Sequence, residues 1–249
     1  MKRRKINGTS PQKQIDTINF KGVIIKRSDF GEAHSMFTLL ENSLGKIEVV
    51  SFGSRNEKST RRSSLLVSNY VCGIISKPRD HNPYSLLEIN TLKSYPDILT
   101  QLNKAAYLFV LFEIIDILTI KENPFHYLDY ILNTLDKIGA GIEIEKYVFF
   151  TLLKLFQAEG VLSRAENEMR LAYAVKELAG DQYNPGNGSL RFIQDVFQCD
   201  NCGSFDGKHL SKAVIEDLIR FFKQSSKYHF GKDLKSLSLI RSSTQAGEE

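Results

Sequence analysis

The chain has 249 residues, 42% of them hydrophobic and 25% charged, a globular composition too rich in apolar side chains for extensive disorder and sufficient for one large domain or two modest ones. Its apolar runs, such as residues 105–112, are cut by Glu113 and Asp116, well short of the about 20 residues a membrane helix needs. The net charge of +4 is uneven, because residues 1–85 hold 15 Lys and Arg against 7 Asp and Glu while the remainder holds 18 against 22. A basic first third points to a polyanionic partner, with solubility as the plainer alternative. Lys2, Arg3, Arg4 and Lys5 are followed by polar residues where a signal peptide would be apolar, and Cys72, Cys199 and Cys202 are too few for a disulfide framework; the expectation is a soluble, cytoplasmic protein.

Residues 1–16 lack apolar periodicity and read as a flexible basic arm. From residue 17 to 95 the texture is of short strands with turn punctuation. Residues 20–27, 34–40, 47–52, 69–76 and 84–93 are the expected strands, with turns at 29–32 and 42–46 and a charged, proline-containing loop at 77–83. Residues 47–52 alternate as a half-buried strand does. Five short strands in so short a segment suit a small closed barrel, since closure removes exposed edges.

After Pro96 the apolar spacing becomes three and four. One long helix is expected from Ile98 to about Lys121, a second starting at Pro124 and stopped by Gly139 and Gly141, and a third over 144–157 ending near Gly160. An amphipathic segment, 166–179, is followed by Asn184, Pro185, Gly186, Asn187 and Gly188 as a loop, then by the cysteine pair. A last helix begins after Ser211, whose hydroxyl suits an N-cap, and residues 242–249 read as a tail. The expected class is therefore α+β: a five-stranded barrel of the OB type over 17–95 and an all-helical domain over 96–241.

The residues that common catalytic chemistries require are not arranged for them. There is no phosphate-binding loop, no dinucleotide fingerprint, no nucleophile elbow and no metalloprotease His pair. His34, His81, His126, His209 and His229 are scattered without ligand spacing, and each reads as a solvated or packing residue. The expectation is a protein without enzymatic activity.

The most informative polar element follows Gly53. Arg55, Lys58, Arg61 and Arg62 stand among several Ser and Thr hydroxyls in one loop leaving a barrel strand, and Lys26 and Arg27 extend the same basic character. Cations neutralise phosphates and hydroxyls donate to phosphate oxygens, neither reading base identity. Phe30, Phe37 and Phe52 offer stacking surfaces of the kind OB folds use for single strands, although a small barrel also needs aromatics as filling. Lys26, Arg27, Arg55, Lys58, Arg61 and Arg62 are the candidate DNA-binding residues.

Cys199-Asp200-Asn201-Cys202-Gly203 supplies half of a structural zinc site, which needs four ligands. No second such pair follows, and His209 is the nearest further donor in sequence. Zinc at Cys199 and Cys202, a vestigial or structural thiol pair, and a redox dithiol stay open as alternatives.

Gly22 to Glu32, Leu44 to Ile47, Phe52 to Ser59, Cys199 to Gly203 and Tyr228 to Ser236 carry short motifs that, in this order along the chain, resemble those of the DNA repair and recombination mediator family RecO. The opening Gly22-Val23-Ile24-Ile25-Lys26-Arg27-Ser28-Asp29-Phe30-Gly31-Glu32 resembles that family's glycine, apolar strand, basic pair and Gly-Glu turn. Leu44-Gly45-Lys46-Ile47, Phe52-Gly53-Ser54-Arg55 with Lys58-Ser59, Cys199-x-x-Cys202-Gly203, and Gly231-Lys232-Asp233-Leu234-Lys235-Ser236 follow in family order. The resemblance implies an OB fold and a helical domain, binding of single- and double-stranded DNA, and annealing of complementary strands. It also implies help, together with RecR, in loading the RecA recombinase onto DNA coated by single-strand-binding protein, whose acidic C-terminal tail is a further partner. Lys232, Lys235 and Arg241 are candidate cations for that tail. The second cysteine pair of zinc-bearing members is absent. The alternative from another class is an adaptor whose barrel binds only protein.

Overall fold

The structure is a computed structural model and describes residues 16–56, 59–77, 83–119, 124, 126–165, 167–199, 205 and 209–240. The basic arm short of Asp16, Lys58, most of the 77–83 loop, Cys202, Arg241 and the tail lie outside the described residues. Five strands come first: β1 (Thr17–Phe30), β2 (His34–Glu41), β3 (Gly45–Ser51), β4 (Tyr70–Ser76) and β5 (Tyr84–Lys93). They form a closed barrel in the order β1-β2-β3-β5-β4. All pairings are antiparallel except β3 with β5, where Val49 faces Tyr84 and Val50 faces Ser85.

β1 is longer than its apolar run predicts because one strand serves two partners. Its first half pairs with β4, from Thr17↔Ser76 to Val23↔Tyr70, and its second half with β2, from Gly22↔Glu41 to Phe30↔His34. Closing so small a barrel brings backbones into contact where only glycine fits: a Cβ on Gly22 would lie 2.3 Å from the Leu40 carbonyl oxygen, and one on Gly73 2.0 Å from that of Glu88. A bulge between Ile24 and Lys26 resets the alternation. Ile24 consequently packs inside the barrel with Phe20, Phe37, Leu39, Ile47 and Val71, while Val23 and Ile25 join the core of the helical domain.

The same sharing corrects the half-buried expectation for 47–52. β3 starts at Gly45 and is buried on both sides, Val49 within the barrel and Val50 and Lys46 beneath other elements. Phe52 falls outside the strand.

The helices that follow among the described residues include α1 (Pro96–Thr100), α2 (Leu102–Leu118), α3 (Leu128–Ala140), α4 (Ile144–Ala158), α5 (Glu168–Ala179), α6 (Asn187–Gln198) and α7 (Lys212–Phe230). The single helix expected over 98–121 is broken at Gln101, whose extended backbone ends α1 while its carbonyl accepts the first bond of α2 from Ala105. Thr119 closes α2, returning its hydroxyl to the Ile115 carbonyl. Pro124 does not start α3, which begins four residues later and runs through Gly139 to a left-handed stop at Gly141. Helix α6 occupies the stretch read as loop and irregular chain. Its apolar Leu190, Ile193, Val196 and Phe197 share one buried face, and its N-terminus is held by Gly186 N–H donating to buried Asp217 at 2.9 Å. Ser211 caps α7 as its sequence predicts, accepting from Val214 N–H. Helices α2 and α4 are apolar nearly all round and form the centre of the bundle.

Candidate nucleic-acid interface

The segment between β3 and β4 is held to itself and to the barrel by hydrogen bonds. Ser59 N–H donates to Asn56 O, Leu65 N–H to Arg61 O, and the Asn69 amide to the Ser63 and Ser64 carbonyls. Ser68 N–H and the Ile24 carbonyl, then Ile24 N–H and the Asn69 carbonyl, tie its end to β1. Leu65, fully buried, plugs the barrel interior. This geometry uses some of the cations that the sequence offers to phosphate. Arg27 donates to the Leu65 carbonyl at 3.3 Å and to the Ser35 hydroxyl at 3.2 Å, and Arg61 donates to the Leu87 carbonyl of β5 at 2.8 Å. Arg55 reaches the β1–β2 turn, donating to Gly31 O at 3.2 Å and pairing with Asp29 at 3.5 Å. Arg62 is exposed, and its backbone N–H donates to the Ser59 carbonyl at 3.4 Å.

The candidates whose partners are described thus do not converge on one patch. Arg55 lies beside the β1–β2 turn, Arg61 beside β5, and Lys26 on the opposite side, facing α2. The bulge in β1 sets that last placement, since it puts Ile25 and Lys26 on the outer face together, Lys26 opposite Thr38, and directs Arg27 to the barrel mouth opposite Phe37. Among the aromatics, Phe37 is core, whereas Phe52 is 55% exposed and stands edge-on to His34 with ring centroids 5.1 Å apart. The side chain of Phe30 lies outside the described residues. His34 also orients the loop, its Nδ1 accepting from Gly53 N–H at 3.0 Å.

Two further cations on barrel strands lie outside the candidate set. Exposed Lys21 lies over the Tyr70 ring at 5.5 Å. Lys46, nearly buried on β3, donates across to Asp116 of α2. Its family-like Leu-Gly-Lys-Ile motif was visible in sequence, but its partner 70 residues away was not.

Of the cysteine pair, Cys199 lies among the described residues. Cys199 follows α6, and its carbonyl accepts from Lys154 of α4. His209 instead donates through Nδ1 to Glu143, at the start of the same helix, 2.8 Å away. Eleven residues of α4 separate Glu143 from Lys154, on the order of 16 Å of helix, so His209 and Cys199 are not brought together. Among the described residues no group of three His, Cys, Asp or Glu is placed to share a metal ion. Glu143 has a structural role: it pairs with Lys146, which is 1% exposed, and this hydrogen bond holds its carboxyl below the usual carboxylate range against an opposing effect of burial. Burial together with Asp136, whose carboxylate accepts the Tyr95 hydroxyl at 2.7 Å, pushes that phenol well above its ordinary value.

A closed five-stranded barrel with a structured basic loop, joined to a helical bundle, defines a two-part α+β class. No family model matches the chain. It is 26% identical over 222 residues to the DNA repair protein RecO of Oceanobacillus iheyensis, covering 88% of this chain and 79% of that one. It is 28% identical over 207 residues to the DNA repair protein RecO of Clostridium perfringens, covering 82% and 79%. A third relative, the DNA repair protein RecO of Gloeothece citriformis, is 32% identical over 110 residues, 43% of this chain and 38% of that one. Over most of its length the chain is thus similar to proteins named DNA repair protein RecO. Among the described residues no helix is long and apolar enough to cross a membrane.

Proposed function

We propose that the protein is a cytoplasmic, nucleoid-associated mediator of DNA repair and recombination without catalytic residues of its own. The observation that carries this reading is the similarity to proteins named DNA repair protein RecO over most of both chains. In this reading the barrel is an OB fold, whose five strands and Greek-key order it shares. It binds single- and double-stranded DNA through phosphates and anneals complementary strands. With RecR it helps RecA replace single-strand-binding protein, whose acidic C-terminal tail it also contacts. Contacts confined to phosphates leave base edges free to pair, and neutralised backbones repel each other less, so annealing requires no reacting side chain.

The test is annealing of complementary oligonucleotides, each precoated with single-strand-binding protein, without nucleotide. Acceleration that is lost when Arg55, Lys58 and Arg62 are neutralised is the expected result. No acceleration by folded protein that still binds the coating protein would favour the adaptor reading. That alternative draws support from Arg27, Arg55 and Arg61, which already bond their own chain. If four cations contact a single strand, log affinity falls with log salt at a slope of about −2.8. For the cysteines, the expected zinc content of purified protein is well below about one ion per chain, since only two thiolates share the motif.

A further inference from the structure

A cleft of about 1030 Å3 separates the barrel from the helical domain. Its barrel wall includes Lys26, Thr38 and Lys46 from β1, β2 and β3, and its far wall includes Phe109 and Asp116 of α2. The outer face of the second and third strands is where OB folds take ligands, so the helical domain stands over the face expected to bind. Asp116 occupies the gap between the two lysines of that face. Its carboxylate is 3.0 Å from Lys46 Nζ and 3.7 Å from Lys26 Nζ. Lys46 is 90% shielded from solvent along its side chain and is aimed by a second bond, from Nζ to the Asp116 backbone carbonyl at 2.5 Å.

We propose that Asp116 is a built-in competitor: its carboxylate occupies, between Lys26 and Lys46, a phosphate position for single-stranded nucleic acid, which an incoming strand takes over. The inference rests on the nucleic-acid reading above. A carboxylate and a phosphate oxygen want the same charge-assisted N–H donors at the same distances, and they cannot share this gap without repulsion. The backbone bond of Lys46 survives the exchange, leaving a positioned ammonium for the strand. Of the other acids lining the cleft, Glu113 is engaged by the Lys235 and Ser236 N–H groups at 3.0 and 2.9 Å, whereas Glu48 and Asp233 flank it. Lys232 and Lys235 line the cleft with them. Asp116, 36% exposed, is the carboxylate a strand must displace.

The experiment is a salt titration of fluorescent oligo-dT binding by the full chain and by Asp116→Asn, which keeps an acceptor for Lys46 and removes the charge. The variant should bind about five- to tenfold more tightly near 0.1 M salt, with a slope steeper by about 0.7 to 1.4, one or two more phosphates neutralised. Wild-type binding with an unchanged or weaker folded variant overturns the competitor alone. Absence of salt-dependent binding by wild type overturns the nucleic-acid reading and the competitor with it. A second measurement does not depend on the variant folding: in wild type, oligo-dT should protect Lys26 and Lys46 from acetylation, and unchanged reactivity at both overturns the proposal.

Discussion

Arg61 and Arg62 are neighbours of identical type, and the fold gives them different work. Arg61 bridges to β5 through the Leu87 carbonyl, while Arg62 extends into solvent. Arg61→Ala should cost about 1 kcal/mol in thermal or denaturant unfolding, whereas Arg62→Ala should stay within about 0.5 kcal/mol and act on the salt dependence of DNA binding. Equal stability losses would contradict this division. The clustering of cations was legible in the sequence, but which one bonds a carbonyl was not, because Leu87 lies 26 positions away. Glu143 makes a similar case. It sits in left-handed backbone at φ 38°, and its carboxylate neutralises buried Lys146. Glu143→Gln should destabilise by about 2 kcal/mol, less than a fully buried pair loses. Because the folded carboxyl lies below its ordinary value of 4.5, the wild-type contribution is complete above that pH and disappears as pH falls through the lowered value. The difference in melting temperature between wild type and Glu143→Gln should therefore shrink from pH 6 to pH 3, and a constant difference would refute the pairing.

At the scale of elements, close backbone approach makes β4 intolerant of any side chain at Gly73. Gly73→Ala should cost about 3 kcal/mol or prevent folding, since the obstruction is the β5 backbone and not a side chain that can turn away. A melting temperature near that of wild type would show that the strands separate more easily than this packing allows. The strands were legible because β-branched runs and glycine turns bracket them, and β5 matches its expected bounds. Helix α6 was hidden by its own first residues: Asn187-Gly188 has the composition of a turn, although the apolar residues after it keep helical spacing. The break at Gln101 was equally invisible, because the residues on both sides favour helix and the extended conformation follows from the junction with α1. In β1, the bulge decides that Lys26 faces the cleft; a strict alternation would have sent it toward the barrel interior.

For the whole molecule, Val23, Ile25 and Leu40 of the barrel belong to the helical core. Heating should therefore give one cooperative transition by far-ultraviolet circular dichroism; two well-separated transitions would mean that these contacts do not couple the halves. The division into a strand-rich first part and a helical second part was readable from hydrophobic period alone. The closure between them was not, because the Lys46–Asp116 pair joins residues 70 positions apart and no local pattern announces it. The shared strand also sets an order of disassembly. A core that belongs to one layer opens when that layer opens, but the backbone at residues 23–25 is freed only when barrel and bundle have both come apart. Under native-state hydrogen exchange its amide protons, including that of Ile24 on the Asn69 carbonyl, should be among the last to reach deuterium, outlasting the middle of β5 and marking the thin first third of the chain as the last to unfold.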